Sequence, residues 1–569
     1  MHMINDRILS AVQKPARYIG NEYNSVVKDK TQVKARFAFC FPDVYEVGMS
    51  HLGMKILYHI LNARAEFWCE RVFAPWVDME EQMRLHGLPL FALESGDAVS
   101  DFDLVGFTLQ YEMSYSNIVN MLDLASIPLF TSDRKLADPF VCAGGPCAYN
   151  GEPIADFVDF FMLGEGEEVI LEVMDAYVAW KESGQPRIAY LETIAKLEGV
   201  YVPSFYDVQY NADGTVQAVI PNNAQAPKTV KKRIIKDLNN VTYPDRFIVP
   251  FTEIVHDRMI LEIFRGCVRG CRFCQAGVIY RPVRERTVET LMPLVKNLIK
   301  NTGYEEISLA SLSTSDYTAL EHLTDELVAI TEQEKISLAL PSLRVDSFSV
   351  DLMEKVQKVR KSGLTFAPEA GTQRLRDVIN KGVTESDLEK TASLAFGGGW
   401  TGMKLYFMIG LPTETIEDVE GIATLSQRVV ATYFMLPKEQ RQRGVQVTIS
   451  TSSFVPKPFT PFQWFAQDSI DTLRDKQKHL KNTIKSKQIS YHWHESYLSF
   501  LEAIFARGDR RLSQVLKAAH QKGCKFDGWS EFFNYNKWME AFLECGIDPH
   551  FYATRTRPYA EVLPWDHID

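Results

Sequence analysis

Arg265-Gly266-Cys267-Val268-Arg269-Gly270-Cys271-Arg272-Phe273-Cys274 is the stretch that organises this chain. Three thiols stand at Cys-x3-Cys-x2-Cys spacing, directly after an apolar run, 259–264, that predicts a buried strand. A compact loop of this kind aims three thiolates at one iron–sulfur cluster. A four-iron cluster ordinarily takes four thiolates, so three leave one iron with an open coordination position. A structural zinc site would close itself with a further Cys or His at short spacing, and 275–294 contains neither. An open iron at a strand end is a place for a ligand.

Composition sets the class around that loop. With 569 residues, about three or four domains are expected. The chain is 46% hydrophobic and 24% charged, the balance of a soluble protein with large cores. Its formal charge of −11 argues against binding long nucleic acid through a broadly basic surface. No apolar run has the length of a membrane span, and the N-terminal residues lack the apolar core of a signal peptide. Nine cysteines, three of them clustered, predict a reducing cytoplasm rather than a disulfide framework.

N-terminal to the loop, strands are expected at 36–41, 71–76, 104–109, 140–143 and 157–162, with helices at 51–61, 115–124 and 167–181. This alternation predicts an α/β doubly wound parallel sheet, which binds ligands at the carboxyl ends of its strands. Two glycine turns fall there: Ala143-Gly144-Gly145-Pro146 and Leu163-Gly164-Glu165-Gly166-Glu167. Between 183 and 256 the chain reads as a connector with a hairpin turning at Asn211-Ala212-Asp213-Gly214. The basic run Lys228, Lys231, Lys232, Arg233 and Lys236 reads as solvated surface.

C-terminal to the loop, strands are expected at 306–310, 336–340, 363–366, 404–409 and 446–450. With 259–264 they make six, each carrying a loop at its carboxyl end, the face where barrels of this type do their chemistry. From 490 the pattern reads as helical, including Tyr491-His492-Trp493-His494, and forms a cap over the barrel mouth. Cys524 and Cys545 read as packing residues.

At the cysteine loop the sequence resembles the radical S-adenosylmethionine (SAM) enzymes. With the two glycine turns upstream, it looks like their cobalamin-binding branch over roughly residues 30–480. The resemblance implies a 4Fe–4S cluster on Cys267, Cys271 and Cys274, with SAM chelated at the open iron and split to a 5′-deoxyadenosyl radical. Phe273 is then expected against the adenine. Ser311 and Ser313 take the place of the family's usual Gly-Gly-Glu toward the SAM amino group. In the third strand's loop, Arg344 is expected to pair with the SAM carboxylate, with Ser342 as a further cofactor contact. Glu369 is expected at the ribose hydroxyls, and the Gly410-Leu411-Pro412 turn beside the adenine. Gly144, Gly145, Gly164 and Gly166 would line the nucleotide tail of cobalamin. The Asp-x-His-x-x-Gly motif that brings an axial histidine to cobalt is absent, and His51 reads as a helix-start residue satisfied by its neighbours.

The organisation implied is a Rossmann-like cobalamin-binding domain over 1–182, a linker with a β-hairpin over 183–256, a partial (β/α)6 radical SAM barrel over 257–485 and a helical C-terminal domain over 486–569. The function implied is radical chemistry with cobalamin, with methyl transfer to an unactivated centre of a small molecule, protein or RNA. A flavodoxin- or ferredoxin-like reductase would supply the electron. Two alternatives stand beside it. A methylthiotransferase would place a second cluster on Cys40, Cys69 and Cys142 or Cys147, whereas Cys40 and Cys142 sit in apolar strands where free Cys behaves as a small hydrophobe. A non-catalytic corrinoid- or RNA-binding protein would keep the cluster only as a structural element.

Overall fold

The computed structural model describes residues 5–341, 344–345, 363–442 and 444–569. The first sheet contains β1 (Ala35–Phe41), β2 (Phe67–Phe73), β3 (Leu104–Thr108), β4 (Phe140–Gly144), β5 (Phe160–Met162) and β6 (Val200–Tyr201). Its order is β2-β1-β3-β4-β5-β6, parallel except for the last pair. Every residue of β1 and β2 is buried. A strand covered on both faces loses the usual alternation and reads as a continuous apolar run. The expected 71–76 strand is β2 displaced toward the N-terminus, because Arg71 and Glu70 are buried within it as ion-paired residues. The order reverses between β1 and β3, which opens a crevice at their carboxyl ends.

The connector holds the expected hairpin, β7 (Tyr206–Tyr210) and β8 (Val216–Pro221). Its basic run is only partly solvated. Lys232 Nζ donates to the carbonyls of Ile279 (3.0 Å) and Arg281 (2.8 Å), while Arg233 pairs with Glu168 and Glu172. The run therefore straps the first sheet to the segment after the cysteine loop.

The second half begins with β9 (Met259–Glu262) and the short pair β10 (Phe264–Arg265) and β11 (Arg284–Glu285). Strands β12 (Glu306–Ala310) and β13 (Ser337–Ala339) complete a parallel sheet β13-β12-β9. A second parallel sheet runs β14 (Leu364–Glu369), β15 (Gly402–Ile409), β16 (Gln446–Ser453) and β17 (Ile489–Trp493). Burial alternates along β15 and β16. Met403, Leu405, Phe407 and Ile409 share a core with Val419, Ile422 and Val429 of the helix Ile416–Met435. Lys404 and Tyr406 face the other way, in register with Thr448 and Ser450. That face is thus polar and partly exposed.

The segment 489–493 is a strand in register with β16, not the helix expected from its aromatic pattern. Residues with two faces, such as Tyr491, satisfy a sheet edge as well as a helix, and only the neighbouring strand decides. Beyond it the chain is helical, with Ser496–Ala506, Leu512–Gln521, Tyr535–Glu544 and His550–Ala553. Leu512–Gln521 packs on the first sheet's helix Tyr115–Leu124, and Ser496–Ala506 on the barrel half's helix Ile470–Thr483. Ser116 donates to Asp527 (2.5 Å), Phe526 N–H donates to Asn117 (2.7 Å), and Arg510 pairs with Glu152 (3.0 Å). They reach the barrel through the proline-rich loop, where Lys457 sits between Glu112 (2.7 Å) and Glu502 (2.9 Å).

Candidate active site

The cysteine loop leaves β10 through Gly266, whose φ is +87°. A Cβ there would lie 2.8 Å from the carbonyl oxygen of Pro282 and 2.9 Å from that of Tyr280, so only glycine lets the chain pass under that turn. The loop is held from both sides. Arg269 pairs with Asp316, Arg272 N–H donates to the Ile379 carbonyl (3.0 Å), and Asn380 donates to the Gly270 carbonyl (2.8 Å).

Cys267, Cys271 and Cys274 are all partly exposed, unlike the four N-terminal cysteines, which are buried. Backbone N–H groups of Arg269 and Gly277 approach the sulfurs of Cys267 and Cys274, each at 3.4 Å. Burial raises the thiols of Cys271 and Cys274, with Lys381 and Arg344 opposing the rise at Cys271. Three thiols spread along one cavity wall suit a multi-iron cluster, because its ligands sit on separate irons.

That cavity, about 610 Å³, is lined by all three cysteines together with Phe273, Ser313, Arg344, Glu369 and Lys381. Glu369 ends β14 at φ +69°, just after a shift in register between Phe366 and Glu369. A non-glycine residue in the left-handed region is strain retained where the surroundings dictate it. Burial raises the Glu369 carboxyl, and Lys381, 3.2 Å away, counters it. Ser313 Oγ donates to Asp316 (2.7 Å). Phe273 packs against an apolar cluster formed by Ala370, Leu375, Ile379, Leu411, Phe454 and Phe462. Gly410 and Pro412 do not line the cavity; Gly410 N–H donates to Glu414 (2.8 Å). Ser342 lies outside the described residues.

A second cavity, about 360 Å³, occupies the crevice of the first sheet. Thr108, Gly144, Gly145, Gly164 and Gly166 line it from the strand ends, and Arg265, Gly266, Ser311 and Leu312 line it from the barrel side. Leu312 lines both cavities, and the adjacent residues Gly266 and Cys267 face one each. Ser311 therefore faces the sheet crevice while Ser313 faces the cysteines. At Gly145, φ +113°, a Cβ would meet the Leu109 carbonyl oxygen at 2.8 Å; at Gly164 it would meet that of Arg233 at 2.2 Å. These two glycines answer to chain crossings as well as to the cavity.

His51 also lines the crevice. Its Nδ1 accepts from Met54 N–H (3.1 Å), capping the helix Leu52–Ala63. Burial pushes its pKa down to about 4, opposed by a hydrogen bond with Gln110. With Nδ1 accepting, the proton of the neutral ring is on Nε2, so this ring offers no free lone pair to a metal. The cap reading of His51 holds in the structure.

Between the cavities lies a buried charge network that the sequence pattern does not announce. Arg265 reaches Glu167 (2.5 Å), Glu262 (2.9 Å) and Glu165 (3.4 Å). Arg284 pairs with Glu165 (2.5 Å), and Arg286 with Glu262 (3.4 Å). Burial alone would raise Glu262, yet Arg265 and Arg286 outweigh it and hold its carboxyl below the usual range. Arg265 and Arg284 thus join the cysteine loop and the strand after it to the Gly164–Glu167 turn. The usable signal was their clustering beside a glycine turn rich in glutamate.

Residues 53–203 match the N-terminal family of radical SAM proteins, and 261–426 match the radical SAM superfamily. An uncharacterized protein of Methanocaldococcus jannaschii, MJ0966, is 29% identical over 517 residues, covering 90% of this chain and 97% of its own. The anaerobic magnesium-protoporphyrin IX monomethyl ester cyclase of Cereibacter sphaeroides is 24% identical over 56% of this chain and 46% of its own. Among solved structures, the radical SAM methyltransferase TsrM of Kitasatospora setae, with cobalamin and a [4Fe-4S] cluster bound, superposes with a TM-score of 0.52 at 14% identity, covering 76% of this chain and 74% of that one. Sheet, barrel and cysteine loop agree with these matches: the chain is a radical SAM protein, with the fold of a cobalamin-binding member of that superfamily.

Proposed function

We propose that this protein is a cobalamin-dependent radical SAM methyltransferase. The observation that carries the reading is the shared wall: the cavity holding three cysteines and the sheet crevice meet at Leu312 and across the Gly266–Cys267 step. When bound, a reduced four-iron cluster supplies the electron that cleaves SAM to a 5′-deoxyadenosyl radical, and a corrinoid supplies a transferable methyl group.

The chain's own residues define the rest. Cys267, Cys271 and Cys274 hold the cluster and leave one coordination position open. Phe273, braced by Leu411 and Phe454, offers an apolar face to the adenine. Arg344 and Lys381 bring positive charge to the cysteine cavity, suited to a carboxylate. Glu369, 3.2 Å from Lys381, would accept from the ribose hydroxyls, and Ser313 would take the amino group. Gly410 and Pro412 act through the apolar cluster behind Phe273. Gly144, Gly145, Gly164 and Gly166 would shape the corrinoid's crevice, and His51 caps its own helix through Nδ1. A low-potential flavodoxin- or ferredoxin-like donor in the cytoplasm would complete the system.

The alternative with a second cluster finds little support in the geometry. Cys40, Cys69, Cys142 and Cys147 are all buried, whereas Cys267, Cys271 and Cys274 are partly exposed along one cavity wall. The test is product analysis: reconstituted protein with SAM and a strong reductant should release 5′-deoxyadenosine, and the C271A variant should release none. Equal release from both would overturn the assignment of the cysteines.

A further inference from the structure

Behind the helix Leu52–Ala63 lies a separate cavity of about 450 Å³. Leu52, Gly53, Ile56 and Leu57 face the sheet crevice, whereas Met54, Lys55, Tyr58, His59 and Asn62 face this one. The far wall is 245–248 of the connector. The two cavities are thus divided by a single helix.

Most polar groups around this second space are already committed. Tyr58 OH accepts from Val26 N–H (2.8 Å), Asn62 exchanges hydrogen bonds with the backbone of Cys69, and Asn24 donates to the carbonyls of Phe247 and Asn301. Arg71 is saturated by Glu22 and Glu94, and Asp245 accepts from Asn297 (3.2 Å). Lys55 differs. Its Nζ is buried and has no hydrogen-bond partner, lying over the Phe247 ring at 4.7 Å from the centroid. An ammonium carries three donors, and leaving all of them unmet away from water is costly. A ring face offsets only part of that cost. Burial accordingly lowers the Lys55 pKa to about 8, with Asp257 opposing through charge alone. Arg246 and His59 line the same space.

We propose that this cavity binds a small oxyanion, a carboxylate or a phosphate, on Lys55 with Arg246 beside it. The proposal is independent of the corrinoid reading, since none of its residues lines the sheet crevice or the cysteine cavity. An anion there would give Lys55 its missing acceptors and rigidify the helix whose other face shapes the crevice.

The test is thermal unfolding and calorimetric titration of the full chain with inorganic phosphate and, separately, acetate. Saturable binding of either, with a rise in unfolding temperature, is expected, and it identifies which oxyanion the site prefers. The Lys55→Met variant keeps the apolar stem and removes the charge; it should weaken binding by about tenfold or more and, without anion, unfold at a temperature no lower than the parent. Arg246→Gln, at an exposed position, should weaken binding by a smaller factor and serves if K55M fails to fold. No saturable binding of either anion, or binding unchanged in K55M or R246Q, would overturn the proposal.

Discussion

Glu167 accepts a 2.5 Å hydrogen bond from Arg265, a residue 98 positions away in sequence and two before the first cluster cysteine. Through this contact the last glycine turn of the first sheet grips the strand that launches the cysteine loop. Because Arg265 also holds Glu262 and Glu165, the position of one cavity's wall sets that of the other.

Removing the charge at one end tests the link. Glu167→Gln keeps the shape and one acceptor, so the loss should be about 1–3 kcal/mol in unfolding free energy. Combined with R265Q, the loss should fall short of the sum of the two single variants, as contacting partners require. Strict additivity in a double-mutant cycle would show that the contact carries no coupling.

The cluster cysteines should behave as a set. C267A, C271A and C274A are each expected to lower bound iron from about four per chain to near zero, with the far-ultraviolet circular dichroism unchanged. By contrast, C40A and C142A should keep their iron, since both side chains are packed inside parallel strands. Iron lost from C40A would reassign that residue.

Glycine positions separate strain from collision. Gly164→Ala meets the Arg233 carbonyl at 2.2 Å with φ +90°, whereas Gly184→Ala, φ +68°, meets nothing within 4 Å. The second should cost about 1–2 kcal/mol, the left-handed penalty alone. The first should cost more than about 3 kcal/mol. Denaturant titration compares them directly.

Asp527 provides a pH-dependent lock on the C-terminal helices. It accepts from Ser116 (2.5 Å) and from Trp538 Nε1 (2.9 Å), and burial raises its pKa from 3.8 to about 6. A carboxyl raised on folding stabilises the fold fully below its unfolded value and loses that contribution as pH rises through the folded value. The window is therefore between 3.8 and about 6, and the contribution at stake is at most about 3 kcal/mol. D527N, always neutral, should gain stability over the parent at pH 7.5 and show no gain at pH 3.8, followed by Trp fluorescence on heating. The same difference at both values would remove Asp527 as the cause.

Much of this fold is legible in the sequence because parallel strands covered on both sides appear as apolar runs. Cys40 and Phe41 end such a run, and Phe140 begins another. The cysteine spacing is equally plain. Other features depend on partners distant in sequence. Tyr491 and Trp493 suit a strand or a helix until β16 lies beside them. Glu369 acquires its left-handed backbone only where β14 shifts against β15. Lys381 enters the cysteine cavity from a loop with no motif of its own, and Leu312 becomes a dividing wall only once two cavities exist. Arg265 is visible as a charge, but its choice of Glu167 is a property of the assembled fold.

The most direct measurement of the central claim is metal content after anaerobic reconstitution with iron, sulfide and hydroxocobalamin, read as iron and cobalt per chain alongside the visible spectrum. The reconstituted protein should hold about four irons and one cobalt per chain, with a corrinoid spectrum that lacks protein imidazole ligation. About eight irons with no retained cobalt would contradict it, and would turn Cys40, Cys69 and Cys142 or Cys147 from packing residues into ligands.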